Sequence, residues 1–278
     1  EQWEEIEEFP PYELNIEKGK TLFNTPFKNG KTYASCFPND GIGVAHQYPF
    51  FDTKSGRIMT LELAINECRK ANGEEPLKWS KGPIADISAY MHYTSRGETI
   101  NVVVPNDPRA MEAYERGKNH FYAKRGQMNM SCADCHVWNA GNKIRADILS
   151  PALGHTTHFP VYRSKWGEMG TLHRRFSGCN KQVRAKPFKA QSDEYKALEY
   201  YQQELAKNPG PQPDYVMYGY GLALKNRGLA ADAEGVFTDL LNRRSDVIAY
   251  HLGLAESQMV AGDLDGSLST FENAYRLF

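Results

Sequence analysis

Cys132-Ala133-Asp134-Cys135-His136 places two thiols one helical turn apart, with a histidine directly after the second. That spacing lets both sulfurs form thioethers with the two vinyl groups of one haem, while the adjacent imidazole reaches the iron. Two other chemistries use such a pair. A zinc site needs a second pair of ligands, and the sequence supplies none at suitable spacing. A thioredoxin-type dithiol normally follows a strand in a βαβ unit, and no such pattern is present. One covalent haem c is therefore expected, held by Cys132 and Cys135 with His136 on the iron.

The sixth iron ligand decides the chemistry. Downstream of His136 the candidates are His155, His158, Met169, His173 and Cys179. Met169 would make an ordinary electron carrier, and His155 or His158 a lower-potential bis-His haem. Cys179 would give a haem thiolate, which is rare and points to sulfur chemistry. Arg174, Arg175, Lys181, Arg184 and Lys186 all lie within seven positions of Cys179. Positive charge lowers a thiol pKa and draws a small dianion to the site. A solvated surface run is the ordinary reading of such a cluster. An odd cysteine inside a haem domain favours the functional one.

These residues need elements to hold them. The chain has 278 residues, 41% hydrophobic and 24% charged, with a formal net charge of −1. That balance argues against a general polyanion binder such as a nucleic-acid protein, and no apolar run is long enough to span a membrane. Three segments separate by pattern. Residues 1–105 run from an acidic leader through a Gly/Pro/aromatic stretch to helical patterns at 59–71 and 84–96. Asn101–Pro108 reads as a linker. In 106–207, Met111, Tyr114, Gly117, Lys118, Phe121 and Tyr122 share one helical face ahead of the haem motif. A closing helix follows Ser192, with Tyr195, Leu198, Tyr201 and Leu205 on one stripe. Helix, haem motif, irregular loop and closing helix form the minimum plan of a cytochrome c domain.

Past the proline-rich stretch 208–213, residues 210–278 repeat with a period of 34. Gly219 matches Gly253, Gly228 matches Gly262, and Phe237 matches Phe271. This resembles a pair of tetratricopeptide repeats, although Ser245 and Gln258 depart from the pattern. The sequence stops without a capping helix, leaving an apolar face for something else to cover. At the other end, the start at Glu1 reads as a mature sequence whose signal peptide has been removed. Thioether attachment outside the bacterial cytoplasm goes with compartments where disulfides persist. Cys36 and Cys68 can then pair, and Cys179 is left as the odd thiol.

Arg174-Arg-Phe-Ser-Gly-Cys179-Asn-Lys-Gln-Val-Arg-Ala185, downstream of Cys132–His136, resembles the SoxA family of the SoxAX cytochrome. This is the L-cysteine S-thiosulfotransferase of bacterial sulfur oxidation. The likeness covers about residues 1–201, including Asn101–Pro108, Met111–Gly117 and Ala185–Phe188. It implies a mainly α fold with two cytochrome c-like domains, the first without haem and with Cys36–Cys68 as its disulfide; the α-α repeat module at 210–278 is not part of the family's usual pattern. It implies that Cys179 is the distal haem ligand, often carried as a persulfide, and that Arg175 lines the active site. Arg174 and Lys181 are weaker candidates for holding thiosulfate. The implied partners are a SoxX-like cytochrome c subunit and a SoxYZ-like carrier protein, in the periplasm. The competing readings are an electron-transfer cytochrome with a protein-docking tail, and a thiosulfate dehydrogenase that joins two thiosulfates.

Overall fold

A computed structural model describes residues 10–144, 147–206 and 214–277. In chain order the elements begin with α1 (Glu13–Asn24), β1 (Phe50–Asp52), β2 (Arg57–Met59), α2 (Leu61–Ala71), α3 (Pro83–Tyr93) and α4 (Pro108–Tyr122). The haem motif forms the short α5 (Cys132–His136), followed by β3 (Lys143–Ile144), β4 (Asp147–Ile148), β5 (Val161–Arg163) and β6 (Glu168–Gly170). Then come α6 (Leu172–Gln182), α7 (Asp193–Ala206), α8 (Asp214–Asn226), α9 (Ala230–Arg243), α10 (Ile248–Ala261) and α11 (Leu264–Leu277). Among the described residues the strands pair as antiparallel hairpins, β1–β2, β3–β4 and β5–β6, and Gly170 of β6 also bridges to Lys81. The chain is mainly α, as expected.

Contacts divide the chain into two compact units. The first takes the chain through His120, then Lys124–Asn129 and the stretch from Thr156 through α7. The second takes Phe121–Ala123, Met130–His155 and α8–α11.

The first unit builds one plan twice. α1 crosses α3 at Gly19, where a Cβ would stand 2.0 Å from the Asp86 carbonyl oxygen and 2.9 Å from Tyr90 Cβ. α4 crosses α7 at Gly117, where a Cβ would stand 2.0 Å from the Ala197 carbonyl oxygen and 2.9 Å from Tyr201 Cβ. One constant shift in numbering carries Asp86 to Ala197 and Tyr90 to Tyr201. It also carries Pro49 to Pro160, β1–β2 onto β5–β6, α2 onto α6, and Cys68 onto Cys179. In the first copy aromatic rings fill the interior: Phe27 and Phe23 pack against Tyr33 at 4.8 and 5.7 Å, and Tyr90 against Phe23 at 5.4 Å. The Cys36–Cys68 disulfide closes this copy, worth about 3–4 kcal/mol on the chain-entropy account.

Helix ends follow local chemistry. The pattern at 59–71 starts later than its apolar spacing suggests because Met59 pairs with Phe50 in the β1–β2 hairpin. Thr60 then caps α2, its hydroxyl accepting the Leu63 N–H at 3.1 Å. The pattern at 84–96 gains Pro83 at its first turn, where a missing N–H costs nothing, and ends at Tyr93.

The two copies meet at a small cavity of ≈ 20 Å³, room for one water molecule. Counterparts line it in pairs, Tyr48 with Phe159, Leu61 with Leu172 and His92 with Gln203, together with Glu62 and Glu199. Ser88 donates to Glu62 Oε1 at 2.8 Å, and His92 Nδ1–H donates to the Ser88 carbonyl at 2.9 Å. Burial pushes the Glu62 carboxyl up, and the negative charge of Glu199 adds to it. Burial holds His92 down. A carboxylic acid raised on folding stabilises the fold fully below the ordinary carboxylate pKa. That contribution is lost as pH rises through the raised value. Glu62→Gln keeps the shape without the charge, so it is expected to flatten that loss. Above that raised value it should be more stable than the parent, read by thermal unfolding across pH; an unchanged slope would place the linkage elsewhere.

In the second unit, α8–α9 and α10–α11 form two helical hairpins. The 34-residue period reappears in their starts, Asp214 with Ile248 and Ala230 with Leu264. Gly228 and Gly262 make the equivalent turns at φ +76° and +88°, a region where side chains are strained. Phe237 fills the centre, pressed on Gly221 and Gly253, where a Cβ would come within 2.8 and 2.4 Å of its ring. Leu224, Ala233, Leu240 and Tyr250 complete that core. The proline-rich stretch 208–213 lies outside the described residues. Among the described residues no helix is long and apolar enough to cross a membrane.

Candidate functional site

α5 is five residues long and would not persist on propensity alone. Ser131 caps it: its hydroxyl accepts the Asp134 N–H at 3.1 Å, and Asp134 Oδ2 accepts the Ser131 N–H at 2.6 Å. This reciprocal box fixes one turn, with Cys132 and Cys135 half-buried on it. His136 Nδ1 lies 2.7 Å from the Ser150 carbonyl oxygen. A carbonyl only accepts, so Nδ1 carries a proton, which in the neutral ring leaves Nε2 as the atom able to bind a metal. That is the tautomer a metal-ligating histidine needs, oriented by the bond that metal-bound histidines usually make. The His155 ring stacks on His136 at 4.3 Å between centroids. Two thiols one turn apart beside an imidazole fixed in this tautomer fit a haem c.

The second group stands on α6. Arg175 and Cys179 are four residues apart on one helix and so share a face. Thr171 precedes the helix, and Asn180 ties it to α7, donating to the Tyr195 hydroxyl at 3.1 Å. Burial pushes the Cys179 thiol above its ordinary value, and the charges of Arg175 and Arg163 act against it. The expected depression from neighbouring cations is thus present but outweighed by desolvation. His158 is held down by burial first, then by Arg175 and Arg163. Arg163, at the end of β5, belongs to this cluster and was not among the residues singled out from sequence.

The other cations fall away. Arg174 is engaged by Glu168 at 3.3 Å and lies over the Trp166 ring at 4.3 Å. Lys181, Arg184 and Lys186 are exposed. Arg175, by contrast, has no carboxylate within ion-pair distance among the described residues.

Two of the alternative iron ligands are already committed. Met169 is 3% exposed and packs in a core with Ile16, Ala85 and Ala89. His173 is 2% exposed; its Nδ1 accepts the Gln191 N–H at 3.0 Å, and its Nε2 lies 2.9 Å from Glu199 Oε2.

The family model described as SoxA/TsdA, cytochrome c domain, matches residues 18–100 and 116–208. The L-cysteine S-thiosulfotransferase subunit SoxA of Chlorobaculum tepidum is 61% identical over 201 residues, covering 72% of this chain and 70% of that protein. The protein of the same name from Allochromatium vinosum is 59% identical over 202 residues, 72% of each. Among solved structures, SoxXA from P. pantotrophus matches with a TM-score of 0.65 at 35% identity, covering 72% of this chain and 75% of that one. With its haem motif, its Cys179-bearing helix and these likenesses, the chain belongs to the SoxA family of cytochrome c proteins.

Proposed function

We propose that this chain is the thiosulfate-handling subunit of an L-cysteine S-thiosulfotransferase. The observation that carries the reading is Cys179 on the same face of α6 as Arg175, with the charges of Arg175 and Arg163 acting on the thiol and no carboxylate within ion-pair distance of Arg175 among the described residues. Two guanidinium charges acting on one thiol favour a small dianion there, since a planar cation matches an oxyanion's geometry.

The reaction joins the sulfane sulfur of thiosulfate to a carrier cysteine. One S–S bond forms, the thiol loses its proton, and two electrons leave. Arg175 and Arg163 hold the sulfonate end and orient the sulfane sulfur toward Cys179. Cys179 takes up the sulfane sulfur in an S–S bond as the two electrons leave; the carrier thiolate then attacks that sulfur, breaking the bond and releasing the Cys179 thiolate as the carrier's own S–S bond forms. When bound, a haem c would be held by Cys132 and Cys135, with His136 and Cys179 as the proposed iron ligands, and would supply one-electron chemistry. A second electron acceptor is therefore required, and a SoxX-like cytochrome c subunit is the proposed one. A SoxYZ-like protein is the proposed carrier, and the periplasm the proposed compartment.

The test is product analysis with the haem-bearing chain, the cytochrome partner, thiosulfate and an oxidised acceptor. Thiosulfate added to the carrier cysteine, seen as a mass gain on that peptide, is the expected outcome. Tetrathionate formed equally well without the carrier would make the chain a thiosulfate dehydrogenase. Electron transfer with neither product would leave only a carrier of electrons.

A further inference from the structure

The family match ends at residue 208, so α8–α11 need a role of their own. α8 lies directly on the stretch that follows His136. A Cβ on Gly219 would stand 2.9 Å from the Val137 carbonyl oxygen and 3.1 Å from its Cα. From the other side, a Cβ on Gly141 would stand 2.7 Å from Ala223 Cα and 3.0 Å from Asn226 Cβ. Glycine on both sides lets helix and loop backbones touch. Asn226 Nδ2 then donates to Asn142 Oδ1 at 3.2 Å and to the Ala140 carbonyl at 3.4 Å. Val137 and Ala140 are wholly buried.

The covered stretch is itself bonded to the haem motif. Val137 N–H and Trp138 N–H both donate to the Ala133 carbonyl, at 2.9 and 3.0 Å, and Asn139 Nδ2 donates to the Asp134 carbonyl at 2.8 Å. A shift of 137–142 therefore moves the helix that carries Cys132, Cys135 and His136.

We infer that the tail is an intramolecular clamp on the haem-attachment segment. Gly219, Gly141 and Asn226 act as positioning residues that hold α5, and through it His136, in place. The inference rests on the haem reading above. It gives the tail work inside this chain, as distinct from a docking surface for another protein.

Three single variants of the full, haem-bearing chain test it: Gly219→Val, Asn226→Ala, and Gly235→Ala as a control, since a Cβ on Gly235 meets nothing within 4 Å. The readouts are haem per chain, reduction potential, and the rate of protease cleavage within 137–142. Gly219→Val is expected to shift the potential and speed that cleavage several-fold, with Asn226→Ala intermediate and Gly235→Ala like the parent. Parent-like potential and cleavage in Gly219→Val would overturn the clamp. If that variant does not accumulate, parent-like behaviour of Asn226→Ala overturns it instead. A parent chain that binds no haem would refute the haem reading, and the cleavage rates would still decide the clamp.

Discussion

Arg175→Ala is expected to lower kcat/KM for thiosulfate about 10²–10³-fold, the usual loss when one preorganised donor to an oxyanion is removed. Haem should stay attached, because Cys132, Cys135 and His136 are untouched. The neighbouring Arg174→Ala is the telling comparison. Arg174 is occupied by Glu168 and Trp166, so its loss should cost a little stability and change turnover by no more than about twofold. Cys179→Ala should reduce turnover to background, since it removes the sulfur on which both guanidiniums act. Arg163→Ala should fall between, and the Arg175 and Arg163 effects should not add, because both act on one anion. Steady-state kinetics with the carrier at saturation reads all four. Equal losses for Arg174→Ala and Arg175→Ala would mean that general positive charge on α6, not a site at Cys179, drives binding.

What the sequence disclosed depended on how local each signal was. Cys132–His136 and the Arg175/Cys179 spacing are contained within one helical turn or two, so the residues alone announce them. Arg163 could not be found that way. Its charge acts on the same thiol from the end of β5, at the turn of the β5–β6 hairpin, and nothing in Val161–Arg163 distinguishes it from a surface arginine. The sign of the Cys179 shift was equally hidden, because charge is written in the sequence and desolvation is not. The 34-residue repeat was legible from glycines and phenylalanines at fixed offsets, and its period survives in the helix starts. The closeness of α8 to Val137–Asn142 was not legible, since it depends on Gly219 and Gly141 meeting partners far away in the chain.

The internal duplication was legible but easily overlooked. Gly19-Lys20-Thr21-Leu22-Phe23 and Gly117-Lys118-Asn119-His120-Phe121 share glycine, lysine and phenylalanine at the same spacing. Thr60-Leu61 precedes Cys68 as Thr171-Leu172 precedes Cys179. The match explains the cysteine pattern. Cys68, the counterpart of Cys179, is closed off in the disulfide with Cys36, and the first copy has aromatic rings inside. Only the second copy keeps its thiol available for chemistry.

The same duplication identifies the position least able to change. Gly117→Ala is expected to destabilise the haem-bearing chain by at least about 3 kcal/mol, the upper range for overpacking a core. Its new methyl would meet the Ala197 carbonyl carbon at 2.6 Å as well as the oxygen at 2.0 Å. Backbone in the middle of α7 cannot yield as a side-chain tip can, so α4 and α7 must separate. Separation uncovers Tyr201, which is wholly buried and packs on Tyr114 at 5.3 Å. Gly178→Ala, on α6, is the matched control: its Cβ meets nothing within 4 Å, and alanine in a helix interior gains about 0.5–1 kcal/mol over glycine. Denaturant unfolding of both variants should therefore give opposite signs. A Gly117→Ala chain within about 1 kcal/mol of the parent would mean that α4 and α7 cross less closely than the structure places them. Gly19→Ala offers an independent check, because it meets Asp86 at the same 2.0 Å in the copy closed by the Cys36–Cys68 disulfide. Comparable losses at both glycines would establish the crossing as the common fastening of the two copies. A loss at Gly117 alone would mean that the disulfide holds the first copy together when its helices are pushed apart.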